Sequence, residues 1–443
     1  MQLINANPKG AMLLTSVVMF FMVGLVFFPE VNLGLPISHI MIIILMGLLL
    51  LLAKIPAYKV FFKLDPIQSI FGILALVAMI VYLIRIPNID FIKDNYARMT
   101  GNRPSGLYPK VALNGILALA LFWFAYGFGK FSAPYPGLIK KIIGLIIFLC
   151  LVNALANIVG WLVQTGGQIS RYNFIPPLVR SAGTSIGYSI LGFTLLFATG
   201  SYFRFWNGIV RFVILITFFF SIVIIVTRQS QISFLLLFVT YLIFKRRQVT
   251  SKSLLIFFLI LPIFGFLAFL MASALNFASL FVEAASSDSV DFLVRVAAFD
   301  EAWRIFGQFP FFGAGYGMYA LYSQLQLFVA GEVVFLASAH NGLASIAGEM
   351  GFFGLAIVLL MLFIVLKTVF RAKSQLQTIN FYSSFVTSTF AYTVVNIPLM
   401  LISNFYLLPP PSEYTYAATT FFAWYSIGVC AGLNRLQAEN AVK

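Results

Sequence analysis

In the stretch ASAHNGLASIAGEMGFFG, residues 337–354, His340 and Asn341 stand at the mouth of a long apolar run, in a chain with only two histidines. An imidazole, with an unperturbed pKa of about 6.5, can take the proton from an attacking hydroxyl, or orient that hydroxyl as a hydrogen-bond donor. Three arginines have comparable surroundings: Arg180 in PPLVRSAGTS, Arg228 in TRQSQISF and Arg295 in FLVRVAAFDEAW. Guanidinium groups grip phosphate oxygens with two parallel hydrogen bonds and stay charged at any working pH. Three of them converging with a histidine would suit a diphosphate that is held and then stabilised as it leaves. Such chemistry requires no metal, and the sequence has no D-x-D pair and no His/Asp/Glu cluster at ligand spacing, so neither metal nor cofactor is expected. Each residue also has an ordinary reading. Arg228 can snorkel from a helix end, Arg180 and Arg295 can meet lipid headgroups, Arg295 can pair with Asp288 or Asp291, and His340 can be a satisfied interface residue.

The elements that must position these residues are membrane helices. With 61% apolar and 9% charged residues and a mean hydropathy of +0.99, a chain of 443 residues cannot be a water-soluble domain. A helix needs about 20 apolar residues to cross the hydrocarbon core, because backbone polar groups in lipid must be satisfied within the helix. Twelve runs qualify, near 11–28, 37–53, 66–84, 111–129, 142–163, 183–202, 207–226, 230–244, 253–274, 344–367, 380–403 and 415–433. The fold expected is therefore all-α, a single polytopic membrane domain over 1–443 with about twelve spans. The run at 11–28 follows Lys9 but is long and lacks a small-x-small cleavage site after it, so it reads as a retained span rather than a signal peptide. Cys150 and Cys430 sit in different apolar runs and indicate neither a disulfide nor a metal site. No internal repeat is visible.

Basic residues give the sidedness, since cytoplasmic loops collect Lys and Arg. With both termini cytoplasmic, the inner segments hold 18 of the 28 basic residues but only Asp65 and Glu439 of the 13 acids. The net charge of +15 is thus mostly a topology signal, and nucleic acid is rejected as a partner. The ten remaining basic residues lie on the outer face, where insertion does not ask for them: Arg85, Lys93, Arg98, Arg103, Lys110, Arg171, Arg180, Arg228, Arg295 and Arg304. Two outer loops are long, about 85–110 and about 275–343, the second between the ninth and tenth spans. Its stretch SVDFLVRVAAFDEAWRIFGQF has apolar residues at helical spacing, which predicts one or two amphipathic helices lying on the membrane or capping a cavity. The following PFFGAGYGMY, 310–319, reads as a glycine-rich turn and not a nucleotide loop, since no strand precedes it.

At these residues the chain resembles the bacterial O-antigen ligase and O-antigen polymerase superfamily, twelve-span glycosyltransferases that use undecaprenyl-diphosphate-linked glycans. The ligase-like signature is His followed by Asn, Ser or Gln, nine further residues and G-x-x-G. It is matched here by His340-Asn341, GLASIAGEM and Gly351-Phe352-Phe353-Gly354. The family's arginine with a downstream tryptophan and a P-x-x-G-x-G turn corresponds to Arg295, Trp303 and PFFGAG. Its arginine at the outer end of a mid-chain span corresponds to Arg228, with Ile232 where leucine is common, and a looser R-x-x-G corresponds to Arg180 and Gly183. The first 165 residues match only as hydrophobic spans.

The resemblance implies transfer of a glycan from undecaprenyl diphosphate to a hydroxyl on the periplasmic side of the bacterial inner membrane, with inversion. In that scheme His340 activates or orients the acceptor, Arg228 and Arg295 bind the diphosphate and Arg180 adds a contact. Asn341 is placed with these arginines among the substrate-binding residues, and its position next to His340 also suits it to orient the histidine. The acceptor is lipid A-core sugar for a ligase in lipopolysaccharide biosynthesis, or a second lipid-linked glycan for a polymerase. The histidine signature leans to the ligase. A lipid-linked-glycan flippase or other transporter is the reading from a different class. Transporters carry ionisable residues near mid-membrane on broken helices, whereas here the span centres are almost free of charge.

Overall fold

The computed structural model describes residues 63–92, 94, 107–166, 176–178, 182–203, 208–224, 228–245, 290–323, 327–329, 332–334, 341–376, 380–399, 407–408 and 417–441, together with 16–20, 23, 44 and 47. Its main helices are α1 (Pro66–Ile84), α2 (Leu107–Ser132), α3 (Pro136–Thr165), α4 (Ala182–Thr199), α5 (Gly208–Ile224), α6 (Arg228–Phe244), α7 (Val290–Gln308), α8 (Tyr319–Tyr322), α9 (Gly342–Gln375), α10 (Phe381–Leu399) and α11 (Ala417–Ala441). Nine of the twelve expected spans coincide with helices of this set, while those at 11–28, 37–53 and 253–274 lie wholly or largely outside the described residues. Among the described residues four helices, α1, α2 (from Tyr108), α3 and α9, are long and apolar enough by themselves to cross a membrane. The protein is therefore a helical, multi-span membrane protein. One short element departs from the helical reading: strands β1 (Leu327–Val329) and β2 (Glu332–Val334) pair antiparallel in the long loop. The two residues between them are Ala330 and Gly331, the spacing of a tight hairpin, and a helical-period reading of the loop passes over it.

Contacts at the helix ends show that the long helices of the bundle alternate in direction. At one end, the Asp65 carboxylate caps α1 by accepting from the Gln68 N–H at 3.0 Å, and it also receives the Lys130 ammonium at 2.7 Å from the last turn of α2. The Tyr382 hydroxyl of α10 donates to Ala133 O at 2.8 Å, and Ser132 of α2 bonds Tyr425 of α11 at 3.1 Å. Arg211 of α5 donates to Phe197 O, a carbonyl left without a partner at the end of α4, and Lys245 after α6 lies over the Phe197 ring. Lys63, Lys130, Arg211 and Lys245 thus share one end, as the charge bias requires. At the opposite end are Arg85, Tyr108, the start of α6, all of α7 and the start of α9.

Within the bundle, polar groups join helices without introducing charge. Asn157 of α3 donates to the Ser221 hydroxyl of α5 at 3.2 Å and accepts from Ser185 of α4 at 3.0 Å, and Ser189 meets Ser221 at 2.9 Å. Such contacts hold helices together where lipid offers no hydrophobic drive to association.

Candidate functional site

The site end is organised by a break in α9. Gly351 has φ 65° and ψ −166°, a region open to glycine alone, so the helix splits into a short half over 342–350 and a longer one from Phe352 onward. An unbroken helix would bond the Phe352 and Phe353 N–H groups to the Gly348 and Glu349 carbonyls. The glycine-rich turn takes both sides of that ladder. Phe352 N–H donates to Pro310 O at 2.8 Å and Phe353 N–H to Phe311 O at 3.2 Å, while Ala314 N–H donates to Gly348 O at 3.0 Å and Gly315 N–H to Glu349 O at 2.7 Å. Backbone lies on backbone: a Cβ on Gly313 would stand 2.3 Å from the Glu349 carbonyl, and one on Gly351 would stand 2.6 Å from the Gly313 nitrogen. The P-x-x-G-x-G turn and the G-x-x-G signature are therefore two halves of one joint.

The short half of α9 is buried along its length and packs against α7. A Cβ on Gly348 would be 3.1 Å from Ala302 O, and Ala298, Ala302 and Ile305 form the buried stripe of α7. The contacts Ala302 with Gly348 and Pro310 with Phe352 follow the same order along both segments, so the two helices run in the same sense into the joint. The buried Glu349 side chain accepts from the Tyr319 N–H at 3.2 Å, and the Tyr319 hydroxyl donates to Ala298 O at 2.8 Å, tying α8 to both helices. Burial, and then the Glu349 charge, hold the Tyr316 hydroxyl well above the ordinary tyrosine range; burial, Glu301 and Glu349 do the same to Tyr319. Both phenols therefore stay protonated and uncharged. Arg304 is committed to structure: it forms a two-pronged pair with Glu301 at 2.7 and 2.8 Å and also donates to Tyr322 O at 2.8 Å. The Glu301 hydrogen bonds raise its pKa further.

A second loop pins this joint from the side. Arg85, which ends α1, donates from Nη2 to Gly313 O at 2.9 Å and lays its guanidinium over the Phe309 ring at 3.8 Å. Tyr82 donates to Tyr316 O, and Asn88 donates to the Tyr322 hydroxyl at 3.4 Å. The end of α1 and the start of the 85–110 loop therefore meet residues 309–322 of the long loop through three hydrogen bonds and one ring contact. The sequence marks Arg85 as an outer basic residue with no reason in membrane insertion, and that is the only signal of its task. Glu349 carries less signal still, a single acid inside an apolar helix.

Asn341 is the N-cap of α9: its backbone is extended, and its Oδ1 accepts from the Ala344 N–H at 2.9 Å. The sequence puts Asn341 among the substrate-binding residues beside His340; in the structure its side-chain oxygen holds the buried half-helix. Arg228 is the first residue of α6, at the same end as Arg85 and Asn341, and Arg295 lies in the second turn of α7. The side chains of Arg228 and Arg295 lie outside the described residues, as do Arg180 and His340 altogether.

A bundle of apolar helices with an interlocked helix–turn–helix joint at one end defines a multi-span membrane protein. Residues 212–359, one third of the chain, match the family model described as O-Antigen ligase, in support of the resemblance to the O-antigen ligase and polymerase superfamily. The matched segment holds Arg228, Arg295, His340 and both halves of the joint, and leaves Arg180 outside. No curated protein matches the chain.

Proposed function

We propose that the chain is a membrane glycosyltransferase that moves a glycan from undecaprenyl diphosphate to an acceptor hydroxyl on the periplasmic side of the inner membrane, an O-antigen ligase whose acceptor is lipid A-core. The observation that carries this reading is the position of the family match: it spans the arginine at the head of α6, the arginine of α7, the histidine before α9 and the joint that fixes α7 against α9. In this reading the acceptor oxygen attacks the anomeric carbon, the bond from that carbon to the diphosphate oxygen breaks, and His340 takes the hydroxyl proton. Arg228 and Arg295 hold the diphosphate and stabilise its charge as it departs, with Arg180 as a further contact. The common sense of α7 and α9 supports the pairing of Arg295 with His340, since both residues precede the crossing at Ala302 and Gly348. Proton transfer contributes about 10²–10⁴-fold in rate, and displacement in one step inverts the anomeric centre.

The test is transfer by purified protein in vesicles, given a defined lipid-diphosphate glycan and either lipid A-core or a second donor molecule as acceptor. Ligation to lipid A-core is expected. Elongation of the donor alone would make the protein a polymerase, and movement of the donor between leaflets without transfer would make it a transporter.

A further inference from the structure

Helix α7 carries three different faces. Ala298, Ala302 and Ile305 are buried against the protein. Asp300, Gly307 and Gln308 form an exposed small and polar face, flanked by Arg304. Between these, Val296, Phe299 and Trp303 form an exposed apolar face, with Trp303 46% exposed and its ring 6.0 Å from that of Phe299. A helix lying on a soluble domain needs only a core face and a water face. A third, aromatic face is the mark of a helix set into the boundary between headgroups and acyl chains.

The surface beyond α7 decides what covers that face. At the joint, Phe311 is 64% exposed, and Phe312 stacks on Phe353 with ring centroids 5.2 Å apart. Phe352 and Phe353 in turn open the exposed stripe of the long half of α9, which continues through Leu359, Leu360 and Phe363 while Val358, Met361 and Val365 face the bundle. That stripe belongs to a helix long and apolar enough to cross a membrane, where an exposed apolar face suits lipid. We infer that the Val296–Phe299–Trp303 face of α7 is inserted in the lipid interface, continuous with the lipid-facing surface of α9, so that α7 lies half-sunk in the outer part of the bilayer with its Asp300 face in water. The inference concerns only the placement of α7 and stands apart from the transfer reading.

Its test uses the full chain in vesicles of phosphatidylethanolamine and phosphatidylglycerol and needs no activity. The fluorescence lost in Trp303→Phe defines the Trp303 component. Phospholipids brominated near the head of the acyl chain should quench that component more strongly than those brominated near its end, and aqueous iodide should quench it weakly. A Trp303 component open to iodide and indifferent to bromolipid overturns the inference and points to a water-exposed or protein-covered face. Should Trp303→Phe fold poorly, nitroxide labels at Phe312→Cys and Asp300→Cys give a second reading, since Cys150 and Cys430 are buried. Oxygen should relax the first label and an aqueous nickel chelate the second; nickel acting equally on both would contradict the placement.

Discussion

Gly351 and Gly313 meet backbone to backbone, with no room for a Cβ on either, and their contact lets the turn at 310–315 take over the hydrogen bonds that α9 gives up at its kink. Alanine at Gly351 meets both a backbone region closed to side chains, worth about 1–3 kcal/mol, and the Phe311 carbonyl. The Gly351→Ala protein should melt well below the parent in detergent, and so should Gly313→Ala, whose φ is 72°. Melting unchanged in both variants would contradict the joint.

This joint shows how much of the site was legible. The spacing of Pro310, Gly313 and Gly315, and of Gly351 and Gly354, is visible in the chain, and the turn was expected where it lies. The interlock was not, because periodicity reports which face of a helix is apolar and carries nothing about backbone exchange between distant segments. For the same reason α9 reads as one span from residue 344, while its first nine residues form a separate buried half-helix. Hydropathy recovered nine helices, since lipid imposes length and apolarity on each. Arg85 stayed without a role because its partner is a carbonyl, and any residue type supplies one.

Arg85→Ala removes the hydrogen bond to Gly313 O and the stack on Phe309. A hydrogen bond from a charged group contributes about 1.5–3 kcal/mol, so the variant should melt earlier and lose transfer in proportion to joint integrity. Arg85→Lys keeps a donor without the planar stack and should fall between. Equal melting of parent and alanine variant would show that the latch holds nothing.

Asn341 separates capping from chemistry. Asn341→Ser keeps a capping oxygen and should preserve stability, whereas Asn341→Ala should cost about 0.5–2 kcal/mol. If Asn341→Ser melts like the parent yet loses transfer, the asparagine also orients His340. Alanine melting like the parent would dismiss the cap.

The anion reading of Arg228 and Arg295 predicts that lysine at either place keeps charge but loses the two-pronged grip, so transfer drops sharply and donor binding weakens. Full activity with unchanged donor affinity in both lysine variants would return these arginines to the role of interface residues. EDTA should leave transfer intact; loss that magnesium restores would reveal a metal requirement.

The central claim is that His340 takes the acceptor proton. The measurement is the rate of glycan transfer to lipid A-core by His340→Ala, made alongside its binding of the lipid-diphosphate donor. The expected variant is a folded protein that binds donor much as the parent does and transfers about 10²–10⁴-fold more slowly. Transfer at the parental rate, or a loss traced wholly to donor binding, would contradict it.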